Sequence, residues 1–181
     1  MKIKPKNILA ITFTNKAANE MKERVEKLVG GMANEMWMGT FHSICLRILR
    51  ANSDFVGLRR DFLIYDDSQQ QKVLKHVIEN LGLSTKEFSP ADWVDRISNI
   101  KDKGVYDIDK MILSDIAKKI LTEYNAELDR TGAIDFGDII LYVIKLFSTN
   151  GIILVKSNHF SRCFNGKIKT QFKELLTKYG D

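Results

Sequence analysis

Cysteine is scarce in this chain, and what little there is carries no pattern. Cys45 and Cys163 form no CxxC pair, so neither a disulfide framework nor a thiolate metal site is expected, and reduced thiols in a cytoplasm are the plain reading. No apolar run approaches the roughly 20 residues of a membrane span, and no signal-peptide pattern is visible, so no membrane partner is expected. There is no internal repeat and no low-complexity linker. A GxxxxGK[ST] loop is also missing. Without it nothing in the sequence cradles the β- and γ-phosphates of a nucleotide or offers a Ser/Thr to magnesium.

Charge of one sign is equally sparse over most of the length. The formal net charge is +5, but residues 151–181 hold six Lys or Arg against two acids. The preceding 150 residues carry 22 basic and 21 acidic side chains. Bulk charge therefore gives the body no affinity for nucleic acid; only local motifs do that. With 181 residues, 44% hydrophobic and 28% charged, the chain has enough material for one soluble core, or a core and a subdomain.

What is present begins with Ile8 to Met21, ILAITFTNKAANEM. Ile8 to Phe13 reads as a buried strand. Asn15 is the expected N-cap of a helix whose apolar face carries Ala17, Met21, Val25 and Leu28 and which ends at Gly30-Gly31. A strand feeding directly into a helix puts its loop at the carboxyl edge of a sheet, where open α/β folds bind ligands. That loop and its approach present Thr12, Phe13, Thr14 and Asn15. On spacing alone Phe13 has two readings: an ordinary core residue, or an aromatic that stacks on a base beside hydrogen-bonding groups that hold phosphate.

A second strand, Met36-Trp37-Met38, leads through Gly39-Thr40-Phe41-His42 into a helix with Phe41, Ile44, Cys45, Ile48 and Leu49 on one face. Cys45 in that stripe reads as a small buried hydrophobe. No second His or Cys stands at metal-ligand spacing from His42.

ITFTNKAANEM closely resembles motif Ia of the UvrD/PcrA/Rep family, the superfamily 1 DNA helicases, and MWMGTFHSICLRILRA resembles the family's next DNA-contacting motif. The resemblance implies a RecA-like (P-loop NTPase type) domain, with Thr12, Phe13 and Asn15 along single-stranded DNA and Thr40 and His42 on its backbone. The family's phosphate-binding loop precedes motif Ia, so the chain is expected to start downstream of it.

Phe62 to Tyr65 reads as a short strand closing on Asp66-Asp67. The following Ser68-Gln69-Gln70-Gln71 does not continue as a DExxQ magnesium motif; Asp67 or Ser68 is the expected N-cap of a helix bearing Val73, Leu74, Val77, Ile78 and Leu81. In the family, DFxIYD marks entry into a helical subdomain called 1B. Ser89-Pro90-Ala91-Asp92 starts another helix, lined by Trp93, Ile97 and Ile100. Lys101 and Lys103 at its end either interact with the helix C-terminus or, as the resemblance implies, lie near duplex DNA. A longer helix is expected to bury Ile112, Ile116, Ile120, Tyr124 and Leu128 and to end at Gly132. Ala133 to Ile139 resembles the family's (L/I)DFxDL signature, with Asp135 as N-cap of a helix over 136–147. The Asp135/Asp138 pair reads as capping rather than acid/base chemistry, since no Lys, His or metal ligand stands near it in sequence.

The resemblance covers roughly residues 5–148. The expected fold class is α/β: a partial RecA-like parallel sheet (1–66), a mostly helical 1B-like subdomain (67–134), a helix returning to the first domain (135–150), and a divergent basic tail (151–181). The resemblance implies part of an ATP-dependent DNA helicase that keeps part of its single-stranded-DNA track. The intact family uses ATP and Mg2+ and meets a duplex junction; no cofactor, ATP hydrolysis or unwinding is expected of this chain alone. Two other classes stand beside it: a helical module that binds a protein partner and carries relic DNA motifs, and a non-specific binder acting through the basic tail.

Overall fold

The computed structural model describes residues 3–102, 108 and 111–149; the expectations for Lys103 and for residues 151–181 lie outside them. Among the described residues four short strands and six α-helices follow one another in the order β1 (Leu9–Thr12), α1 (Asn15–Val29), β2 (Trp37–Thr40), α2 (Phe41–Ala51), β3 (Leu63–Tyr65), α3 (Asp67–Asn80), α4 (Pro90–Asp102), α5 (Asp115–Thr131), β4 (Ala133–Asp135) and α6 (Phe136–Thr149). The strands form two parallel pairs, β1 with β2 and β3 with β4. Parallel neighbours need a crossover. For β1 and β2 that crossover is α1; between β3 and β4 it is the whole block α3–α5.

Two apolar clusters follow from this order. One gathers Trp37, Ile44, Ile48, Leu49, Phe62, Ile134 and Val143, so α2 and α6 pack together over strands from both pairs. The other gathers Leu74, Ile78, Trp93, Ile97, Ile120 and Tyr124 from α3, α4 and α5. Side chains such as Ile48, Leu49, Leu74 and Ile78 lose all exposure, each worth about 1.5–3 kcal/mol relative to a solvated state. The stripe read in α2 is buried at Ile44, Cys45, Ile48 and Leu49, with Phe41 half-buried at its start.

Several local expectations are corrected. β1 is half-buried along its length rather than buried, because β2 is its one paired neighbour among the described residues. On α1 the apolar face is correspondingly thin: Ala18 is buried, Met21 and Val25 are partly covered, and Leu28 is 82% exposed. Thr14, not Asn15, caps this helix. Its backbone is extended and its side chain accepts from Ala17 N–H at 3.2 Å. Likewise Asp66, not Asp67 or Ser68, caps α3. Its carboxylate accepts from Gln69 N–H while Gln69 Oε1 accepts from Asp66 N–H, a reciprocal capping box.

In α5 the expected stripe is rotated. Ile112 lies outside the helix and Ile116 is exposed; Ala117, Ile120, Leu121, Tyr124 and Leu128 are buried behind a Ser114 cap. A strict four-residue spacing drifts by about 40° per step around a helix of 3.6 residues per turn, so Ile112 and Leu128 do not share a face. Gly132 ends α5 in the left-handed region, φ 64°, a conformation glycine adopts without strain.

Candidate nucleic-acid interface

The register of the first pair sets the site. Thr12 lies opposite Thr40, so β1 and β2 end level and the two motifs TFTN and GTFH emerge side by side. Each is followed by a helix with a threonine N-cap. Thr14 serves α1, and Thr40 serves α2 by accepting from Ser43 N–H at 3.3 Å while its carbonyl accepts from Ser43 Oγ at 2.8 Å. Two helix N-termini, whose first N–H groups carry partial positive charge, thus open at one sheet edge.

At this edge Phe13 is 75% exposed, which removes the core reading of that residue. Asn15 is exposed in the first turn of α1, and Thr12 is half-buried at the strand end. Thr40 is 9% exposed; its oxygen is used in capping, which leaves the hydroxyl hydrogen as its means of contact.

His42 occupies the first turn of α2 and is half-buried. Its ring stacks on Phe136 with centroids 4.3 Å apart and planes at 21°; Phe41 meets it edge-on at 6.4 Å. Burial holds the imidazole below its ordinary 6.5, with the negative charge of Asp102 opposing that shift. Phe136, the first residue of α6, is 54% exposed. In the sequence DFGD the two carboxylates are the conspicuous groups and Phe136 is simply the start of a helix. Its place at a strand-to-helix junction, the same signal that singled out Phe13, was available.

Lys101 is elsewhere than expected. It is 5% exposed, and its Nζ lies 2.6 Å from Asp135 Oδ2 and 2.7 Å from Asp138 Oδ1. An ammonium committed to two buried carboxylates does not face DNA. It also supplies the lysine partner that the acid pair lacks in local sequence. Asp135 and Asp138 do cap α6: Asp138 N–H donates to Asp135 Oδ1 at 3.0 Å, and Asp135 N–H donates to Asp138 Oδ2 at 3.1 Å.

Tyr124 Oη lies 3.1 Å from Asp135 Oδ2 and 3.3 Å from Gln70 Oε1, and Gln70 Nε2 donates to the Tyr65 carbonyl. Burial disfavours the charged form of Lys101, but Asp138 and Asp135 outweigh it and raise its pKa. Burial pushes Asp138 up to about 6, against the pull of Lys101 and with the help of Asp135. Removing one member of such a buried set costs about 3–5 kcal/mol, because the remaining charges lose their partner.

Beyond Phe136, at the carboxyl ends of β3 and β4, a cleft of about 670 Å³ is lined by Asp66, Asp67, Asp95, Asp135 and Phe136, among others. Its acidic wall repels phosphate. Among the described residues no group of three or more His, Cys, Asp or Glu is arranged to hold a metal ion. No helix of the described residues is long and apolar enough to cross a membrane.

Residues 1–176 match the family model described as the UvrD/REP helicase N-terminal domain. Over 150 residues the chain is 45% identical to the ATP-dependent DNA helicase PcrA of Staphylococcus aureus (strain NCTC 8325 / PS 47), covering 80% of this chain and 20% of that protein. It is 44% identical over 150 residues to the helicase of the same name from Staphylococcus epidermidis (strain ATCC 12228 / FDA PCI 1200), covering 80% of this chain and 21% of that protein. The chain spans about a fifth of the length of the curated relatives it matches.

Proposed function

The chain belongs to the UvrD/REP helicase family, and we propose that it supplies part of the track that holds single-stranded DNA in an ATP-dependent DNA helicase. One observation carries this: β1 and β2 end level, so the exposed Phe13 and the start of α2, whose His42 stacks on Phe136, follow paired strand ends at one sheet edge. Base–aromatic stacking tolerates any sequence, and helix N-termini favour phosphate. Phe13 and Phe136 are the stacking groups; Asn15, Thr12, Thr40 and the half-buried His42 position the backbone. The acidic cleft beyond Phe136 keeps the phosphates on the β1–β2 side.

In this reading residues 1–66 and 135–150 are part of a RecA-like domain and residues 67–134 a 1B-like subdomain. The two apolar clusters support that division. ATP and Mg2+ belong to the intact helicase. The acids that follow a strand here do not fit such a site: Asp66 caps α3 and Asp135 is paired with Lys101. With no GxxxxGK[ST] in the sequence, these residues alone neither hydrolyse ATP nor unwind DNA.

The test is a fluorescence-anisotropy titration of a labelled oligothymidylate against the matching duplex, repeated over a range of salt. Preference for the single strand, with a modest salt slope, is expected of a nearly neutral, aromatic-led surface. Equal affinity for both forms with a steep slope would assign binding to residues 151–181 instead.

A further inference from the structure

The buried network around Lys101 touches the nucleic-acid face through one turn of backbone. Asp135 and Asp138 bracket Phe136 and Gly137, and their reciprocal hydrogen bonds define the first turn of α6. Lys101, from the last turn of α4, bonds both carboxylates. Its stem packs on the same turn: a Cβ added to Gly137 would stand 3.1 Å from Lys101 Cβ. Asp102, the next residue of α4, acts on His42 by its charge. One helix end therefore holds the base of the Phe136 ring and lies beside the ring it stacks on.

We propose that Lys101 is a positioning residue: through Asp135 and Asp138 it fixes the first turn of α6 so that Phe136 stacks on His42 and faces the DNA strand. Without the ammonium, the first turn of α6 loses its tie to α4 whether or not two carboxylates are left to repel each other, and the turn on which Phe136 stands is free to shift away from His42. Tyr124 and Gln70 extend the same network to α5, α3 and the end of β3. The α3–α5 block and the DNA face are thereby tied together at one point. This role rests on the nucleic-acid function proposed above.

The experiment uses the full chain as wild type, Lys101→Met, and Lys101→Met/Asp138→Asn. In the double variant an amide keeps the cap's hydrogen bonds, and the net charge of the cluster is unchanged. His42 is identified among the three histidines by its loss in His42→Gln, and its ring protons are followed by NMR. Phe136→Ala gives the shift in the absence of the stack.

The expected result is a double variant with wild-type helix content whose His42 protons move most of the way to the Phe136→Ala position. Its affinity for oligothymidylate falls about fivefold or more, and adding Phe136→Ala weakens it no further. A folded Lys101 variant with unmoved His42 protons would overturn the proposal. So would failure of both variants to fold, since Lys101 would then serve stability alone. If wild type does not bind the oligonucleotide, the proposed function fails, while the His42 shift still decides the positioning role.

Discussion

The imidazole of His42 lies 4.3 Å from the ring of Phe136, nearly parallel to it. The contact joins α2, which follows the second strand, to α6, which begins only after the whole α3–α5 block. Aromatic pairs of this kind are worth about 0.5–1.5 kcal/mol beyond their buried area. A double-mutant cycle of His42→Ala and Phe136→Ala in thermal unfolding is expected to return a coupling of that size. Strict additivity would mean that the rings merely lie near each other.

The same contact fixes a pH dependence. Burial holds His42 below 6.5 in the folded chain, so in the window below that value the unfolded chain binds more protons. Stability from this group is therefore complete above the unfolded value and is lost as pH falls through the folded one. An NMR titration is expected to place the His42 midpoint below 6.5, and acid destabilisation should be smaller in His42→Gln than in wild type. A midpoint above 6.5 would show that Asp102 outweighs burial.

Thr14 and Asn15 are expected to separate stability from binding. Thr14→Ala removes the cap of α1 and should lower stability by about 1 kcal/mol. Asn15→Ala touches no cap, and should leave the melting temperature nearly unchanged while weakening oligonucleotide binding. Chemical denaturation and anisotropy on both variants check this; a larger stability loss in Asn15→Ala would reverse the assignment.

ATP turnover gives a fourth expectation. Purified chain, with or without oligonucleotide, should release no phosphate from ATP above a buffer blank, because no phosphate-binding loop occurs in the sequence. Activity that co-purifies with the chain through several columns and is absent from a mock preparation would contradict this.

How much of this was legible in the sequence varied with the range of the interaction. The TFTN and GTFH junctions were readable because a period change from strand to helix is local and strong, and β1, β2, α1 and α2 lie there. The caps of α1 and α3 lie one or two residues before the expected positions, whereas Asp135 caps α6 as expected. Thr14 and Asn15, or Asp66 and Asp67, are equally good caps in composition, and only backbone geometry distinguishes them. The pairing of β3 with β4 was invisible because three-residue strands carry almost no periodicity. The ion pair of Lys101 is hidden in the sequence for a different reason. Its partner Asp135 lies 34 residues away, and nothing in a linear spacing announces a salt bridge of that span. Phe136 lies within the DFGD motif, but its exposure and its stack on His42 depend on a contact across 94 positions that no local pattern encodes.

The central claim rests most directly on Phe13, the ring that β1 delivers to the sheet edge 75% exposed. In Phe13→Ala, thermal stability and anisotropy binding to an oligothymidylate are measured together. Loss of one stacked base at roughly 1–3 kcal/mol predicts about five- to a hundred-fold weaker binding, with the melting temperature little moved because most of the residue's surface is already in solvent. A lowered melting temperature with unchanged affinity would contradict the account.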